Sequence, residues 1–332
     1  TGGGKSVCYW IAGLATMGIT VVITPLIALL NDQVSKLQNC GVKVTYVSST
    51  MYTKDTVELA YIFKSKGIPA VYYHGQLGYF EETDNSRAWL SGKVPIICAT
   101  SAFGMGIDKS DVRFVVHLTM PKSLEEYFQE AGRAGRDSKH AQCSLMFRFE
   151  DRNKLLQLIT TSASDEYREH QENALNAMVS YCMSSSCRRK LILQYFDDDS
   201  EVVCNSCDNC RKPTSAFVEY TQQAINVCQC LEEMIVINPK INVKQLALTF
   251  KGSKSKRDVE SKGFHNIAHY GVGQSAFKND ADAIRFVQHL IIHGVLMENI
   301  RVADGRFTTP FITLGKNVKL LRDKKLPIIL AL

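Results

Sequence analysis

The sequence of 332 residues contains no apolar run long enough to cross a bilayer. Apolar runs such as residues 19–23 and 328–332 fall far short of the roughly 20 residues that a membrane-spanning helix needs. Since no charged segment followed by an apolar one opens the chain, we also expect a protein that is not secreted. The chain begins at Thr1, inside a glycine-rich motif, and we therefore expect it to be a fragment.

Internal repeats are absent too, and low-complexity sequence is limited to residues 184–186 and 197–199, which we interpret as solvated loops. The content of 45% hydrophobic and 22% charged residues is typical of globular proteins. A chain of this length accommodates two or three domains.

Net charge is absent from the first two thirds of the chain. Residues 1–214 carry 23 Lys and Arg against 23 Asp and Glu, whereas residues 215–332 carry 16 against 10. A basic last third is typical of a surface that binds a polyanion such as nucleic acid. A small basic domain with no nucleic-acid role is the alternative.

Most of the eleven cysteines lie scattered in apolar stretches, where a buried, reduced thiol is the usual state. The remaining four, Cys187, Cys204, Cys207 and Cys210, lie in polar, turn-forming sequence. Thiolates separated by two residues can face one ion, and a distant fourth closes a tetrahedron, so this spacing favours structural Zn²⁺. An iron–sulfur cluster is an alternative, and a pair of disulfides would need an oxidising compartment.

Short apolar strands alternate with helices through the first 150 residues, which predicts a parallel, doubly wound α/β sheet. The predicted helices cover residues 6–18, 26–41, 54–67, a stretch through 87–90 to Gly92, and a segment that starts at Ser123. The predicted strands cover residues 19–24, 42–47, 70–74, 94–99, 113–118 and 142–149.

Helices dominate after residue 150. Residues 150–214 are predicted to be helical and to end in the cysteine-rich segment, followed by a linker at residues 213–215. Two or three further helices precede Asp304 and Gly305, a dipeptide that indicates a β-hairpin. Helices followed by a hairpin in a small basic domain predict a winged helix.

A strong helix start lies at Ser123 and Glu126, whose spacing matches a capping box. We expect this helix to run into the small-residue stretch that contains Gly132 and Gly135. Each glycine costs a helix about 1 kcal/mol relative to alanine. A sequence tolerates that cost where the backbone must approach a ligand.

Two arginines, Arg133 and Arg136, are spaced three residues apart in this stretch. A guanidinium group offers a planar fork of donors that matches phosphate oxygens and remains charged. The pair therefore suggests an arginine finger for nucleotide hydrolysis. A solvated basic turn is the alternative.

The chain opens with Gly2, Gly3, Gly4, Lys5 and Ser6, followed by a predicted helix. Glycines let consecutive backbone N–H groups converge on phosphate oxygens, the lysine adds a charge, and the serine hydroxyl can bind Mg²⁺. A glycine-rich helix cap without a ligand is the alternative.

A second glycine-rich turn lies in residues 98–108, where a predicted strand ends. The carboxyl ends of parallel strands form the usual ligand edge of an open sheet. Gly104 and Gly106 can equally serve a tight turn alone.

Further candidates lie in the basic last third. Lys251, Lys254, Lys256 and Arg257 are predicted to occupy a loop that neutralises phosphates, with plain solvation as the alternative. Phe307 near the hairpin tip can stack on a base or pack in the core of the wing.

Together these segments resemble the RecQ family of DNA helicases, most closely the short animal type that ends after the winged helix. The similar segments are residues 1–6 (motif I), 21–34 (motif Ia), 52–56 (the tail of motif IV), 100–108 (motif V), 129–137 (motif VI) and Cys187 to Lys190 with the three later cysteines (the zinc-binding module).

The resemblance implies two RecA-like lobes with ATP between them, a zinc-binding module, a winged helix, and unwinding of DNA from 3′ to 5′. It implies that Lys5 and Ser6 hold the β- and γ-phosphates and Mg²⁺, that Arg136 with Arg133 acts on the γ-phosphate, and that the cysteines bind zinc. The implied ATP-binding residues are Gly2, Gly3, Gly4, Lys5, Ser6, Gly106, Asp108 and Gln129. The implied DNA-binding residues are Thr24, Thr100, Lys251, Lys254, Lys256 and Phe307.

The sequence departs from the family pattern between residues 47 and 52, where it passes from the early first lobe to the second. Motif II, the Asp-Glu-Ala-His that holds Mg²⁺, is absent, and the sole Asp-Glu pair, Asp165 and Glu166, lies in a polar helical stretch. Motif III is missing as well. We therefore expect the chain to hydrolyse ATP poorly or not at all.

The predicted domains are a remnant of lobe 1 (1–51), lobe 2 (52–150), a helical zinc-binding module (151–214) and a winged helix (215–332). The predicted function is an ATP-dependent DNA helicase, impaired in this chain, acting in the nucleus in DNA repair or recombination. Its expected cofactors are ATP, Mg²⁺ and Zn²⁺, and its expected partners are single-stranded and forked DNA, a second copy or a full-length helicase. A non-catalytic DNA-binding protein is the alternative.

Overall fold

The computed structural model describes residues 53–100, 103, 109–162, 165–198, 200, 204–212, 216–299, 302–303, 306–307 and 310–331. The helices and strands predicted before residue 53 lie outside these residues. The described residues form two compact units. One contains the residues up to 119 with 129–148, and the other contains 120–128 and the residues from 149 onward.

The first unit is built from parallel strands and helices, as the alternating pattern predicts. Its elements are α1 (Thr53–Ser65), β1 (Ala70–Tyr73), α2 (Tyr79–Leu90), β2 (Ile96–Ala99), β3 (Phe114–His117) and β4 (Gln142–Leu145). Strand β1 pairs in parallel with β2, with Ala70 opposite Ile96. Strand β3 pairs in parallel with β4, with Phe114 opposite Gln142.

Both faces of β1 are covered, because successive side chains of a strand point to opposite faces. Ala70 belongs to a cluster with Ala60 of α1, whereas Val71 belongs to a cluster with Trp89 of α2 and Phe103. The Trp89 and Phe103 rings meet edge to face, with centroids 5.5 Å apart. Helices on both faces of a parallel pair confirm the predicted α/β architecture.

The second unit is helical before it adds antiparallel strands. It contains most of α3 (Leu124–Ala131), whose residues 129–131 belong to the first unit. Its other helices are α4 (Asp151–Ser162), α5 (Asp165–Met183), α6 (Arg188–Tyr195), α7 (Thr221–Ile237), α8 (Val243–Lys251), α9 (Asp280–Ile292) and α10 (Val318–Arg322). Its strands are β5 (Val218–Glu219), β6 (Leu296–Asn299), β7 (Val302–Ala303), β8 (Arg306–Phe307), β9 (Phe311–Leu314) and β10 (Ile329–Leu330). None of the helices in the described part of the chain is long and apolar enough to cross a membrane.

The last part of this unit has the helices and hairpin of a winged helix. Strand β6 pairs antiparallel with β9, and β7 pairs antiparallel with β8, so the predicted hairpin around residues 304–305 is confirmed. Strand β5 pairs antiparallel with β10. The core consists of apolar side chains with almost no exposed surface, among them Leu231, Met234, Leu246, Phe250, Phe286, Leu290 and Ile312.

Helix α8 has well-defined ends. Asn242 and Gln245 form a reciprocal capping box at its start, and Gly252, with φ of 79°, ends it in the left-handed conformation. A Cβ atom on Gly252 would lie 2.8 Å from the Cα of Gly271. The loop after α8 can therefore cross the helix end only because both positions are glycine.

Two predicted features differ from the structure. The helix that starts after Ser123 ends at Ala131, and Gly132 and Gly135 lie in the turns that follow it. Both glycines lie beyond the helix, so they do not weaken it, and Gly135 has φ of 69°, which a helical residue does not adopt. The predicted strand 142–149 is limited to Gln142–Leu145.

A buried ion pair joins α4 to the first strand of the wing. The side chains of Arg152 and Glu298 are only 9% and 5% exposed, and their Nη1 and Oε2 atoms lie 3.5 Å apart. Arg152 also donates from Nε to Asn176 at 3.2 Å. Burial lowers the pKa of Arg152 and raises the pKa of Glu298, so both charged groups are poorly solvated.

Removal of one partner of this pair should destabilise the second unit by about 3–5 kcal/mol, because an uncompensated charge stays buried. We expect Arg152→Met and Glu298→Met each to lower the free energy of unfolding in urea by that amount. The double variant should regain most of the loss, since no buried charge remains.

The matched control is Glu232→Gln, which breaks the exposed Arg322–Glu232 pair of 2.7 Å. An exposed pair contributes less than about 1 kcal/mol. A double variant whose loss equals the sum of the two single losses would show that Arg152 and Glu298 do not interact.

Candidate functional site

The four cysteines that the sequence singles out lie together. Cys187 is the residue before α6, Cys204 lies in an irregular segment, and Cys207 and Cys210 lie in the bend and turn that follow it. Their four Sγ atoms all lie within 4.8 Å of one another. Zinc with sulfur ligands at about 2.3 Å needs S–S separations of about 3.8 Å, so a small adjustment suffices.

The chemistry of the donors also fits a divalent cation. All four cysteines are free thiols. Hydrogen bonds from the Ser206 side chain and backbone lower the pKa of Cys204 to about 6. Hydrogen bonds with Cys207 and Cys187 raise the pKa of Cys210 to about 12, and repulsion by the charges of the same two thiolates acts in the same direction. A cation at the centre would offset that repulsion, and four thiolates are the ligand set of structural zinc sites.

Arg188 fixes the loop that carries the last three cysteines. Its Nε and Nη2 atoms donate to the two carboxylate oxygens of Asp208 at 3.0 and 3.1 Å. Its Nη1 atom donates to the carbonyl oxygen of Tyr181, and its guanidinium lies over the Tyr181 ring, 5.2 Å from the centroid. The Asp208 hydrogen bond with Arg188 lowers the pKa of this carboxyl, so the pair is charged.

Asn209 provides a second attachment for the same loop. Its side-chain amide donates to the carbonyl oxygens of Ser184 and Ser186 at 2.8 and 2.7 Å. Sequence reasoning included Arg188 in the segment that resembles the zinc-binding module but gave it no role, and it missed Asp208 and Asn209 as supporting residues. The sequence feature that could have indicated these residues is their position next to the cysteines. Arg188 directly follows Cys187, and Asp208 and Asn209 lie between Cys207 and Cys210.

The predicted buried cysteines are confirmed in part. Cys98, Cys228 and Cys230 are buried, and burial raises the pKa of Cys98 to about 12. Cys182 is half-buried, whereas Cys143 is exposed, so the prediction is wrong for Cys143. Cys8 and Cys40 lie outside the described residues.

Motif VI begins inside α3 and continues through the turns after it. The Ser123 hydroxyl accepts from the Glu126 backbone N–H at 3.2 Å, and the Glu126 carboxylate accepts from the Lys122 backbone N–H at 3.1 Å. The structure thus has the serine cap, while the glutamate bonds one residue earlier than a capping box requires. Gln129 lies in the last turns of α3, with an exposed side chain.

The two arginines of motif VI lie on the turns after α3, where Arg136 is exposed and Arg133 is half-buried. A Cβ atom on Gly135 would lie 3.0 Å from Ala141 and from the Lys139 carbonyl oxygen, so glycine is required there. Asp137 forms an ion pair with Arg113 at 2.5 Å, which closes the turn.

Among the residues of motif V, Thr100 is described, while Gly106 and Asp108 lie outside the described residues. Thr100 directly follows β2, and its backbone N–H donates to the carbonyl oxygen of Tyr73 at 3.1 Å. It thus lies at the carboxyl ends of the parallel pair β1 and β2, where open sheets bind ligands.

The predicted residues of motifs I and Ia, namely Gly2, Gly3, Gly4, Lys5, Ser6 and Thr24, lie outside the described residues. Phe307 lies in β8, where its backbone pairs with Val302.

The predicted basic loop follows α8, but Lys251 belongs to the helix and not to the loop. That residue is the last of α8, and its Nζ lies 3.4 Å from Asp280 with a side chain that is 18% exposed. Its placement in a free loop is therefore wrong, because the helix extends to the residue before Gly252. Lys254, Lys256 and Arg257 are exposed.

Three protein-family models match successive parts of the chain. The helicase conserved C-terminal domain matches residues 20–138, the RecQ zinc-binding model matches residues 149–211, and the RQC domain matches residues 215–331. The fold and the cysteine site thus define a helicase-type protein with a C-terminal helicase domain, a zinc-binding module and a winged helix. The first match begins inside residues 1–51, whose assignment to lobe 1 stays a prediction.

Curated relatives agree with these matches. The chain is 35% identical to the ATP-dependent helicase SGS1 of Saccharomyces cerevisiae over 79% of its length, and 34% identical to the ATP-dependent DNA helicase RecQ of Bacillus subtilis over 77%. It is 32% identical to the ATP-dependent DNA helicase Q1 of Pongo abelii over 82%. The chain belongs to the RecQ family of helicases.

The chain spans 18%, 42% and 40% of the lengths of these three relatives. A solved structure, the RNA-helicase Prp28 from Chaetomium thermophilum bound to ADP, is 27% identical over 44% of this chain and 38% of that chain, with a TM-score of 0.30.

We expect Cys207→Ser to abolish binding of one metal ion, because a serine hydroxyl does not replace a thiolate in a site of this kind. Metal analysis of the purified protein measures the result. Cys143→Ser is the matched control, since Cys143 is an exposed free thiol outside the cluster. Equal zinc content in the two variants would show that Cys207 is not a ligand.

Asp208→Asn should lower the affinity for zinc about 10- to 100-fold, the usual effect of removing a partner that orients a metal-binding loop. The substitution keeps the shape of the side chain and removes the charge that Arg188 binds. Competition with a chromogenic chelator measures the affinity.

Arg189→Gln is the control for this variant, because Arg189 is the exposed neighbour of Arg188. Its zinc affinity should equal that of the unchanged chain. An unchanged affinity of Asp208→Asn would mean that the ion pair does not support the site.

Proposed function

We propose that this chain carries the helicase lobe, zinc-binding module and DNA-binding winged helix of an ATP-dependent DNA helicase that unwinds DNA from 3′ to 5′. The single observation that carries the proposal is the order of matches along one chain: a helicase C-terminal domain, a RecQ zinc-binding module and an RQC domain. Two of the relatives, RecQ of Bacillus subtilis and Q1 of Pongo abelii, are named as ATP-dependent DNA helicases, which supports the same activity. The proposed place of action is the nucleus, in DNA repair or recombination.

The proposed nucleotide site uses residues of motifs I, V and VI. Arg136, with Arg133 beside it in sequence, acts on the γ-phosphate, and Gln129, Gly106 and Asp108 contribute to nucleotide binding. Gly2, Gly3, Gly4, Lys5 and Ser6 cradle the phosphates, and Ser6 binds Mg²⁺. The exposure of Arg136 supports this role, because a phosphate-binding guanidinium must be reachable by its ligand.

The proposed zinc ligands are the thiolates of Cys187, Cys204, Cys207 and Cys210. Zinc bound there would be structural, because four protein ligands leave no open position for a substrate. Two contacts hold the loop that carries the last three cysteines. Arg188 donates to Asp208 in this loop, and Asn209 donates to the carbonyl oxygens of the residues after α5.

The proposed DNA surface includes the basic loop after α8 and the wing hairpin. Lys254, Lys256 and Arg257 are exposed and suited to neutralise backbone phosphates. Phe307 is proposed to stack on a base at the hairpin, and Thr24 and Thr100 to contact DNA in the helicase lobe. Lys251 is a weaker member of this set because Asp280 already offsets its charge.

We further propose that this chain binds DNA while hydrolysing ATP slowly or not at all. The sequence contains no Asp-Glu-Ala-His segment, and Asp165 and Glu166 start helix α5 instead of ending a strand. Without that acidic segment, Mg²⁺ and the attacking water lack a usual anchor. The same observation favours the second candidate, a non-catalytic DNA-binding protein that competes with a full-length helicase or associates with a second copy.

Removing two phosphate contacts should flatten the salt dependence of DNA binding. For Lys254→Gln combined with Lys256→Gln, we expect the slope of log affinity against log salt to fall by about 2. Fluorescence anisotropy with a forked duplex at several salt concentrations measures the slope. The matched control replaces the exposed Lys324 and Lys325 by glutamine, and an equal effect in both double variants would contradict a specific role for the loop after α8.

An ATPase assay on the same samples separates the two candidate functions. We expect salt-dependent binding of the fork without DNA-stimulated ATP hydrolysis. DNA-stimulated hydrolysis that disappears in Lys5→Ala would overturn the proposed impairment and support an active helicase. Failure to bind the fork at low salt would contradict both candidates.

A further inference from the structure

A continuous set of contacts leads from the cysteine loop to helix α5. Arg188 binds Asp208, which lies between Cys207 and Cys210, and the same guanidinium covers the ring of Tyr181 near the end of α5. Arg188 also donates to the carbonyl oxygens of Tyr181 and Cys182. One side chain thus joins the metal-binding loop to the last turn of α5.

A second set of contacts joins this module to helix α3. The rings of Tyr127 and Tyr181 pack with centroids 5.4 Å apart, and the two side chains are only 7% and 6% exposed. The rings of Phe128 and Phe196 lie 5.2 Å apart. Tyr195 at the end of α6 donates from its hydroxyl to Glu125 at 2.7 Å.

These contacts involve three residues of α3, which has only eight residues. A helix this short is unstable in isolation, so its stability must come from packing. Tyr127 supplies a large part of that packing, because it and Leu124 are the buried side chains of α3. Motif VI starts at Gln129 within this helix, and Arg133 and Arg136 follow its last residue, Ala131, in the chain.

We propose that zinc binding at the four cysteines stabilises helix α3, and that Tyr181 is the positioning residue that transmits this effect through its contacts with Arg188 and Tyr127. With the metal bound, the ligand loop is fixed and Asp208 holds Arg188 over the Tyr181 ring. Without it, Asp208 is released with the loop, and the Tyr181 ring loses the group that covers it. The start of motif VI is thereby coupled to a metal site about 60 residues later in the sequence.

The proposal rests on zinc binding, which is part of the proposed function, and it does not require ATP hydrolysis. Its test is hydrogen exchange of the whole chain, with zinc bound and after removal of zinc by a chelator. Peptides covering residues 124–131 report on α3, and peptides from α7 (Thr221–Ile237) serve as an internal reference for the winged helix. Metal analysis of the same samples separates a failure to bind zinc from a failure of the coupling.

Three variants sharpen the test. Tyr181→Leu removes the aromatic ring, Tyr181→Phe keeps it, and Tyr167→Leu makes the same change as the first variant at an exposed position of the same helix. We expect zinc-loaded Tyr181→Leu to retain its metal and to exchange roughly two- to tenfold faster in α3, the range for loss of one aromatic pair. Tyr181→Phe, which keeps the ring and loses only the hydrogen bond of the hydroxyl with Tyr127, should exchange in α3 more slowly than Tyr181→Leu, and Tyr167→Leu should match the unchanged chain.

Removal of zinc from the unchanged chain should raise exchange in α3 by a similar or larger factor while the α7 peptides stay protected. It should have little further effect in Tyr181→Leu, because the transmitting contact is already lost. Equal exchange of α3 with and without zinc in the unchanged chain would overturn the proposal. So would a Tyr181→Leu variant that, with zinc bound, exchanges in α3 like the unchanged chain.

Discussion

The clustering of four thiols at one point is the constraint on which the middle of this protein depends. Helix α6 has no buried side chain, and the cysteine loop after it consists of turns. A segment that buries so little apolar surface cannot be held by the hydrophobic effect alone. The Arg188–Asp208 pair and the Asn209 hydrogen bonds restrain this segment, and ligation of the proposed zinc ion would add the remaining restraint.

The winged helix is stabilised in a different way. Its helices pack around fully buried aromatic and aliphatic side chains such as Phe250, Phe286 and Leu290. This core fixes the strands that carry the wing hairpin and the loop with the exposed lysines. A buried ion pair, Arg152–Glu298, joins strand β6 to helix α4. It fixes the position of the strand relative to the helix, although burying the two charges is unfavourable.

The parts of the fold that the sequence predicts are those encoded by local patterns. The alternation of apolar strands and helices anticipates the parallel pairs, and Asp304 with Gly305 anticipates the hairpin between β7 and β8. The cysteine spacing anticipates the cluster, because two-residue separations place thiols on one side of a turn. Each of these signals lies within a short stretch of the chain.

The features that sequence reasoning missed depend on distant residues. Lys251 pairs with Asp280, Arg152 pairs with Glu298, and Tyr127 packs on Tyr181, each across tens of residues. No periodicity or motif encodes such contacts. The end of α3 at Ala131 was missed for another reason, since the sequence does not show which glycine adopts positive φ.

The central claim is that the four cysteines bind one zinc ion through four sulfur atoms. X-ray absorption at the zinc edge of the purified chain measures this most directly, because it reports the identity and distance of the ligand atoms. The account predicts four sulfur ligands at about 2.3 Å and none of nitrogen or oxygen. Iron in place of zinc, or a mixed coordination sphere, would contradict it.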